Sequence, residues 1–235
     1  MKTDQNSTLV LVCKRPLQGQ GKQRLAATLG TAVAQRIAEA LLACALEDAE
    51  VWPGDVVVAP STPEDAAWAA GLLARDCQII PQSSGNLGQR LQQLDQHLRR
   101  QQHERILYIG SDAPILSPLH FKAAQQQLAR TEVVLSAAED GGVVLMGASR
   151  PWPPLADLPW SCDNLGDSLR QRCVSAGLSC GYIAPGYDID VERDLYRLVR
   201  DLQQDSRPAR ADLYLLLGRL LPVVAEPSPR MTDAS

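Results

Sequence analysis

The feature that most constrains the fold of this chain is its alternation of short apolar runs with longer segments of helical character. The apolar runs lie at Thr8–Cys13, Asp55–Ala59, Cys77–Pro81 and Arg105–Ile109. The segments between them, such as Gln23 to about Ala49, carry apolar residues at helical spacing. Because parallel strands need a long crossover connection, usually a helix, this order predicts βαβ units and a mainly parallel sheet.

The second half of the chain continues the pattern with further predicted strands and helices. Strands are predicted at Glu132–Ala137, at Val143–Gly147 and near Gly181–Ala184. The remaining helices are predicted at Pro63–Ala74, from Asn86–Gly88 to about Gln102, at Ser117–Ala129, at Leu165–Ala176, at Glu192–Gln204 and at Ala209–Leu220. We therefore expect a three-layer α/β/α sandwich in which residues 1–222 form one domain, followed by a flexible tail at residues 223–235.

Length and composition favour an ordinary globular protein with a substantial core. The chain has 235 residues, of which 45% are hydrophobic and 21% charged. A net charge of −4 argues against a general nucleic-acid binder, which needs a broad basic face. The apolar runs are all shorter than the roughly 20 residues that cross a bilayer. The polar stretch Met1–Thr8 does not resemble a secretory signal, so we expect a cytoplasmic protein without a membrane span.

The cysteines and histidines do not predict a disulfide framework or a zinc site. The six cysteines are scattered, with no C-x-x-C pair. The three histidines, His97, His103 and His120, are not spaced as zinc ligands. We expect the cysteines to be reduced and mostly buried as small apolar residues.

A turn with a single carboxylate, Gly110–Pro114, follows the predicted strand Arg105–Ile109. Gly110 permits a sharp bend and Pro114 fixes the far side of the turn, so Asp112 is held at the carboxyl end of a central strand. Open α/β sheets bind their ligands at that end. Asp112 is accordingly a candidate ligand for Mg²⁺ or Mn²⁺. The alternative is that Asp112 only caps the turn through its own backbone.

A basic loop, Lys14–Arg24, follows the first predicted strand. It carries the cations Lys14, Arg15, Lys22 and Arg24 on a glycine-containing turn before a helix. The loop is not a Walker A motif, since Pro16 and Gln23 replace the required glycine and hydroxyl residue. Cations beside a helix amino terminus favour a bound di- or triphosphate, with Lys22 neutralising charge on the leaving phosphate. The alternative is a solvated surface loop.

A late acidic cluster, Asp188–Asp194, offers a second carboxylate for the same metal ion. Asp190 is the candidate ligand and Asp188 is expected to help orient it, whereas Asp194 is expected to lie in the first turn of a helix. The alternative is that all these acids only cap the helix. We expect a nucleotide site with a divalent ion only if folding brings Asp112 and Asp190 together.

Two further features are candidates for binding a sugar or another acceptor molecule. Asp140–Gly142 lies between two predicted strands, where glycines let the backbone approach a ligand and Asp140 could bind a sugar hydroxyl. A plain hairpin turn is the alternative for this segment. Trp160 could stack on a sugar, with a half-buried core tryptophan as the alternative.

Several motifs, taken in order, resemble those of a bacterial family of glycosyltransferase-A-like proteins known as DUF2064, or transferase 1 proteins associated with radical-SAM and selenium genes. The resemblance covers about residues 8–200. The motifs are Lys14–Pro16 with Gly21–Leu25, Gly85–Arg90, Gly110–Pro114, Glu139–Gly142, Trp160, and Asp188–Asp190 with Asp194–Leu195.

The resemblance implies a nucleotide-diphospho-sugar transferase fold and a set of site residues. The first loop would hold the nucleotide phosphates, Asp112 would bind the metal and Asp190 would complete its coordination. The implied nucleotide-binding residues are Lys14, Arg15, Gly21, Lys22, Arg24, Asn86, Arg90 and Ser111. The implied catalytic residues are Asp112, Lys22 and Asp140, and the implied acceptor-binding residues are Asp140, Gly141, Gly142 and Trp160.

The chain departs from the family pattern at three positions. Gln23 replaces a threonine, Asn86 replaces an aspartate and Val143 replaces a tyrosine. Three functions are consistent with the motifs: metal-dependent glycosyl transfer from a nucleotide sugar, nucleotidyl transfer from a nucleoside triphosphate to a small phosphorylated acceptor, and nucleotide binding without catalysis.

Overall fold

The computed structural model describes residues 7–221, which form seven strands and eight α-helices. The strands are β1 (Thr8–Cys13), β2 (Val56–Pro60), β3 (Gln78–Ile79), β4 (Ile106–Ile109), β5 (Val133–Ala137), β6 (Val143–Ala148) and β7 (Cys180–Tyr182). The helices are α1 (Gln23–Leu29), α2 (Thr31–Glu50), α3 (Ala66–Ala69), α4 (Leu87–Arg100), α5 (Pro118–Leu128), α6 (Leu165–Ser175), α7 (Glu192–Leu202) and α8 (Pro208–Leu220). The predicted tail, residues 223–235, lies outside the described residues.

The strands form one sheet in the order β3-β2-β1-β4-β6-β5-β7. Strand β6 runs antiparallel to β4 and β5, and the other neighbouring strands are parallel. The prediction of a mainly parallel sheet is therefore confirmed. The antiparallel strand follows from the short Asp140–Gly142 connection, which is long enough for a reversal but too short for a crossover helix.

Both faces of the sheet are covered because successive side chains of its strands point to opposite sides. Leu9 and Leu11 of β1 pack in one apolar cluster with residues of α2 and α5, including Phe121. Val10, between them, packs in a second cluster with Leu91 of α4 and residues of α6. The predicted α/β/α sandwich is confirmed.

A third apolar cluster joins α1, α2, α7 and α8 beside the sandwich. Leu25 of α1 is fully buried in it, together with Ile37, Leu198 and Leu213. This packing fixes the start of α1, which follows the basic loop, against the start of α7, which follows the late acidic cluster. The two segments are thereby held at the same end of the molecule.

The helix predicted at Pro63–Ala74 is much shorter in the structure. A 3₁₀ turn at Pro63–Asp65 leads into the four residues of α3. Gly71 has a low helix propensity, and the Ala74 N–H donates to the Glu50 carboxylate instead of continuing a helical ladder. Within residues 7–221, no helix is both long and apolar enough to span a membrane.

Candidate active site

The candidate site lies at the point where the strand order reverses, because strands β2 and β3 lie on one side of β1 and the later strands lie on the other. Strand β1 is parallel to both β2 and β4, its two neighbours. The connection after β1 leads to β2 on one side, whereas the connection after β4 leads to the other side of the sheet. In open α/β sheets, the crevice at such a switch point is the usual place for a ligand. The basic loop and the Gly110–Pro114 turn both open into this crevice.

Asp112 is joined to the late acidic cluster by a backbone hydrogen bond. The Ile189 N–H donates to the Asp112 carbonyl oxygen at 3.0 Å. A side chain at Gly110 would place its Cβ only 2.7 Å from the Asp112 Oδ1, so glycine leaves room for that carboxylate. As a result, one carboxylate oxygen each from Asp112, Asp188 and Asp190 lies within 4.8 Å of the others.

Lys22 places its ammonium among these acids. Its Nζ lies 3.2 Å from the Asp112 Oδ2 and 3.4 Å from the Asp190 Oδ1, and it donates to the Ile189 carbonyl oxygen at 2.5 Å. The Lys22 side chain is only 14% exposed. Its backbone is left-handed, with a φ of 43°, a conformation uncommon for a residue with a side chain. These three acceptors hold the lysine in that conformation.

Arg24 supplies a second cation from the first turn of α1. One of its guanidinium nitrogens lies 3.4 Å from the Asp190 Oδ2, and the side chain is 72% exposed. Lys22 and Arg24 therefore approach different oxygens of the same carboxylate, one from inside the crevice and one from solvent.

Burial and mutual repulsion shape the charges of the cluster. Burial, together with the nearby carboxylates of Asp112, Asp140 and Asp190, raises the pKa of Asp188 to about 6. Burial alone would lower the pKa of Lys22, but the carboxylates of Asp112 and Asp190 outweigh it and raise the pKa. The lysine therefore stays protonated, and the carboxylates of the cluster stabilise a positive charge between them.

Asp194 holds the acidic segment at the start of α7. Its Oδ2 accepts hydrogen bonds from the N–H groups of Asp190 and Val191, at 2.9 and 2.8 Å. A carboxylate in the first turn of a helix also interacts favourably with the helix dipole. Asp194 thus lies where the sequence predicts it, in the helix, and it fixes the backbone of Asp190.

The predicted nucleotide-binding residues fall into two groups. Lys22 and Arg24 contact the acidic cluster, and Ser111 directly precedes Asp112 in the chain. Gly21, with a φ of 71°, makes the turn before Lys22. Arg15 contacts other residues, with its guanidinium over the Trp68 ring at 5.9 Å and 3.9 Å from the Asp65 Oδ1. Lys14 is exposed at the end of β1.

Asn86 and Arg90 make structural contacts at the start of α4. The Asn86 Oδ1 accepts from the Gln89 N–H and the Gln89 Oε1 accepts from the Asn86 N–H, both at 2.9 Å, which is a capping box. The Asn86 Nδ2 donates to the Ala156 carbonyl. Arg90 donates to the Gln82 Oε1 at 3.1 Å. The nucleotide-binding role of both residues stays a prediction.

The candidate acceptor loop is held by close backbone packing. Gly141 has a φ of 88°, and a Cβ there would lie 1.5 Å from the Asp163 carbonyl oxygen. The Asp140 Oδ1 accepts from the Gly142 N–H at 3.0 Å. Trp160 is half-buried and donates from Nε1 to the Leu155 carbonyl oxygen at 2.8 Å. Binding of an acceptor by Asp140, Gly141, Gly142 and Trp160 stays a prediction.

Sequence reasoning missed a polar network that ties this loop to α7. Both carboxylate oxygens of Glu139 accept from Arg197, whose guanidinium stacks on the Tyr187 ring at 3.8 Å. The Tyr187 hydroxyl donates to Asp201 at 2.5 Å. The direct contact between Glu139 and Arg197 joins residues 58 positions apart, so no local pattern could indicate it.

The donors present at the cluster fit a hard divalent cation. Carboxylate oxygens are the ligands that Mg²⁺ and Mn²⁺ prefer, usually with water and phosphate oxygens completing the coordination. The ammonium of Lys22 among three carboxylates shows that this position favours a cation. Asp112, Asp188 and Asp190 are the residues that could hold the ion.

The family model described as "Uncharacterized protein conserved in bacteria (DUF2064)" matches residues 40–162, more than half of the chain. No curated protein matches the sequence. Among solved structures, a protein from Desulfovibrio desulfuricans G20, described as a candidate nucleotide-diphospho-sugar transferase, matches with a TM-score of 0.80 and 22% identity. The match covers 91% of this chain and 95% of that one.

A second solved structure is the 4-diphosphocytidyl-2C-methyl-D-erythritol synthase of Anaerococcus prevotii DSM 20548. It matches with a TM-score of 0.53 and 13% identity, over 84% of this chain and 99% of that one. These likenesses confirm the predicted α/β/α fold.

Proposed function

This chain belongs to the DUF2064 family, and we propose that it is a metal-dependent transferase that acts on a nucleotide-activated substrate. Its reaction is glycosyl transfer from a nucleotide sugar. The observation that carries the proposal is the meeting of Asp112, Asp188 and Asp190 with Lys22 at the switch point of the sheet. Three carboxylates and a lysine from distant parts of the chain converge there, which a purely structural turn does not require.

The charges of the site suit a nucleoside diphosphate leaving group. Transfer of a glycosyl group to an acceptor hydroxyl breaks the bond to the β-phosphate, so negative charge develops on the departing diphosphate. Lys22 and Arg24 lie beside the acidic cluster and can stabilise that charge. When bound, a Mg²⁺ or Mn²⁺ ion supplies further positive charge and orients the phosphate oxygens.

We assign contact with the acceptor to Asp140. This assignment is supported by its proximity to the acidic cluster, since the Asp140 carboxylate helps to raise the pKa of Asp188. The Asp140 carboxylate can accept a hydrogen bond from an acceptor hydroxyl while the loop stays fixed by Gly141 and Glu139. Asp140 therefore orients the attacking group.

Nucleotidyl transfer from a nucleoside triphosphate to a small phosphorylated acceptor is the second candidate. It is favoured by the likeness of the fold to a 4-diphosphocytidyl-2C-methyl-D-erythritol synthase. The products separate the two reactions, since glycosyl transfer releases a nucleoside diphosphate and nucleotidyl transfer releases pyrophosphate. Binding of a nucleotide with neither product over a long incubation would identify a binding protein without catalysis.

The proposal is tested by replacing Asp112, which removes one carboxylate from the cluster. Nucleotides and nucleotide sugars are screened in the presence of Mg²⁺ or Mn²⁺. A ligand that binds should raise the melting temperature of the wild-type protein by roughly 5–10 °C at saturation. Asp112→Asn should lose the metal-dependent part of this rise, while its melting temperature without ligand stays close to that of the wild type.

The matched control is Asp212→Asn, which alters an exposed aspartate of α8 far along the chain from the cluster. It should keep the full ligand-dependent rise. If Asp112→Asn keeps the rise as well, Asp112 does not bind the metal. If Asp112→Asn unfolds, Asp112 is a structural residue of the turn and the proposal loses its main support.

A further inference from the structure

The ammonium of Lys22 sits where a divalent ion would have to bind. Its three nearest acceptors are the Asp112 Oδ2, the Asp190 Oδ1 and the Ile189 carbonyl oxygen, at 3.2, 3.4 and 2.5 Å. The same two carboxylates belong to the group of oxygens that could hold a metal. Mg²⁺ binds oxygen at about 2.1 Å, so an ion shared by both carboxylates would come within a few ångströms of the lysine.

The Lys22 ammonium and a divalent ion cannot both bind the carboxylates of Asp112 and Asp190. Their charges have the same sign, so they repel each other when they lie a few ångströms apart on the same carboxylates. Lys22 is the partner that can leave. Its flexible four-carbon side chain carries the charge, and it follows the exposed loop residues Gly19–Gly21.

A displaced Lys22 needs a new anion. In leaving the cluster, its ammonium loses two carboxylates and a carbonyl and has to find other acceptors near the crevice. Phosphate oxygens are suitable acceptors for a lysine, and a nucleotide that shares the metal would place them within reach of the β1–α1 loop. A bound diphosphate would therefore stabilise the displaced position of the lysine.

We propose that Lys22 is an internal cation that occupies the acidic cluster until a divalent ion displaces it, and that the displaced lysine then binds the phosphates of the substrate. This inference rests on the proposed function, because it takes the cluster to be the metal site. It makes metal binding and phosphate binding cooperative, since each favours the same displaced position of Lys22. By reciprocity, metal raises the affinity for the nucleotide by the same factor as nucleotide raises the affinity for metal.

The test is a titration of the full-length protein with Mn²⁺ alone, in which electron paramagnetic resonance measures the concentration of the free ion and so gives the binding affinity. Lys22→Met removes the competing cation and should bind Mn²⁺ about tenfold more tightly than the wild type, within the usual range of such couplings. The matched control is Arg24→Met, which removes the exposed cation on the other oxygen of Asp190 and should change the affinity much less.

The titration is repeated with a saturating nucleoside diphosphate, with the amount of free Mn²⁺ corrected for the ion that the nucleotide itself binds. The nucleotide should raise the Mn²⁺ affinity of the wild type about tenfold and that of Lys22→Met much less. Equal Mn²⁺ affinities for the two proteins without nucleotide, or weaker binding by Lys22→Met, would overturn the role of Lys22 and leave the metal site intact. Absence of Mn²⁺ binding by both proteins, with and without nucleotide, would overturn the proposed function as well.

A second measurement on the wild type does not depend on the folding of a variant. Acylation of lysines by an N-hydroxysuccinimide ester, read by peptide mass spectrometry, reports how accessible each amine is. Lys22 should react more slowly than the exposed Lys122 without metal, and Mg²⁺ alone should speed the labelling of Lys22 but not of Lys122. An unchanged labelling rate of Lys22 at a Mg²⁺ concentration that saturates the protein would overturn the inference.

Discussion

Gly88 lets α4 pack closely against the segment that follows β6, because it has no side chain. A Cβ at this position would lie 2.1 Å from the Leu155 carbonyl oxygen and 2.3 Å from the Trp160 Nε1. The same carbonyl accepts the hydrogen bond of the Trp160 indole. Gly88 of the Gly85–Arg90 motif therefore has a structural role, since it lets the segment that carries Trp160 pack directly against the backbone of α4.

Gly88→Ala should destabilise the protein, because the backbone of Leu155 cannot move away without disturbing this packing. We expect a loss of about 2 kcal/mol in the free energy of unfolding, measured by urea denaturation. Gly218→Ala is the matched control, since Gly218 is an exposed helical glycine with open space at its Cβ position. That variant should gain about 0.5–1 kcal/mol from the higher helix propensity of alanine. Equal effects of the two substitutions would contradict this account of Gly88.

The site residues that could be predicted from the sequence are those whose position depends on local structure. Asp112 follows a strand and Asp194 lies in the first helical turn, and both positions can be derived from strand, turn and helix signals. The contact of Lys22 with Asp112 and Asp190 spans up to 168 positions, so only the fold could reveal it. The stacking of Arg197 on Tyr187 was not predictable either, because Tyr187 lies in the loop before α7 and its contact with the helix has no local sequence pattern.

Among the elements, α8 holds the turn that carries Asp112 in place. Arg210 of α8 is fully buried and donates to the carboxylates of Glu47 and Asp48 on α2 and to the carbonyls of Pro114 and Leu116. Arg207 also donates to Asp48 and to the Leu116 carbonyl. The segment that follows Asp112 is thus fixed to two helices by the buried Arg210 and the half-buried Arg207.

Asp48→Ala should be strongly destabilising because it leaves a buried guanidinium with one fewer carboxylate. Removing one member of a buried ion pair costs about 3 kcal/mol or more. Asp205→Ala removes the partly exposed partner of Arg207 and should cost about 1 kcal/mol. Chemical denaturation of both variants provides the comparison. A cost for Asp48→Ala no larger than that for Asp205→Ala would show that α8 is not held by this pair.

The edge strand β7 is attached to its neighbour β5 by a carboxylate. Glu132, just before β5, accepts from the backbone N–H and the hydroxyl of Ser179, just before β7, at 3.0 and 3.2 Å. These hydrogen bonds, with the nearby Arg150, lower the pKa of Glu132. Because the folded pKa lies below its ordinary value, the resulting stability is present above the ordinary pKa and is lost as the pH falls through the folded pKa.

Glu132→Gln should therefore lower the melting temperature at neutral pH and have little effect under acid conditions, where the wild-type carboxyl is also uncharged. The measurement is a series of thermal melts of both proteins from pH 7 down to pH 3. A difference between the two proteins that stays constant over this range would contradict the link between Glu132 ionisation and the attachment of β7.

Element boundaries were predictable where the pattern was long and periodic. The helical segment after the basic loop divides at Gly30 into α1 and α2, because the backbone of Gly30 has a φ of 85°, which is outside the helical region. The helix predicted at Pro63–Ala74 ends early, since only Pro63–Ala69 is helical. Its alanine-rich composition favours a longer helix, but Arg75 donates to the carbonyl oxygens of Ala49, near the end of α2, and of Gly54, beyond that end. Tertiary contacts outweigh helix propensity in such a short segment.

For the whole molecule, the position of the site follows from the topology of the sheet. The order of the strands puts the ends of β1 and β4 side by side at the switch point, and the cluster of α1, α2, α7 and α8 brings the late acids to the same place. The alternation of strands and helices was sufficient to predict the fold class. The placement of β4 beside β1 was not predictable from alternation alone, since the same order of elements fits several strand arrangements.

The most direct test of this account is the position of a bound metal. Crystals of the full-length protein grown with Mn²⁺ and a nucleoside diphosphate should show an anomalous scattering peak between Asp112 and Asp190, with the Lys22 ammonium displaced toward the phosphates. A fully occupied nucleotide with no peak at these carboxylates, or with Mn²⁺ bound elsewhere on the protein, would contradict the central claim that the acidic cluster is the metal site of a transferase.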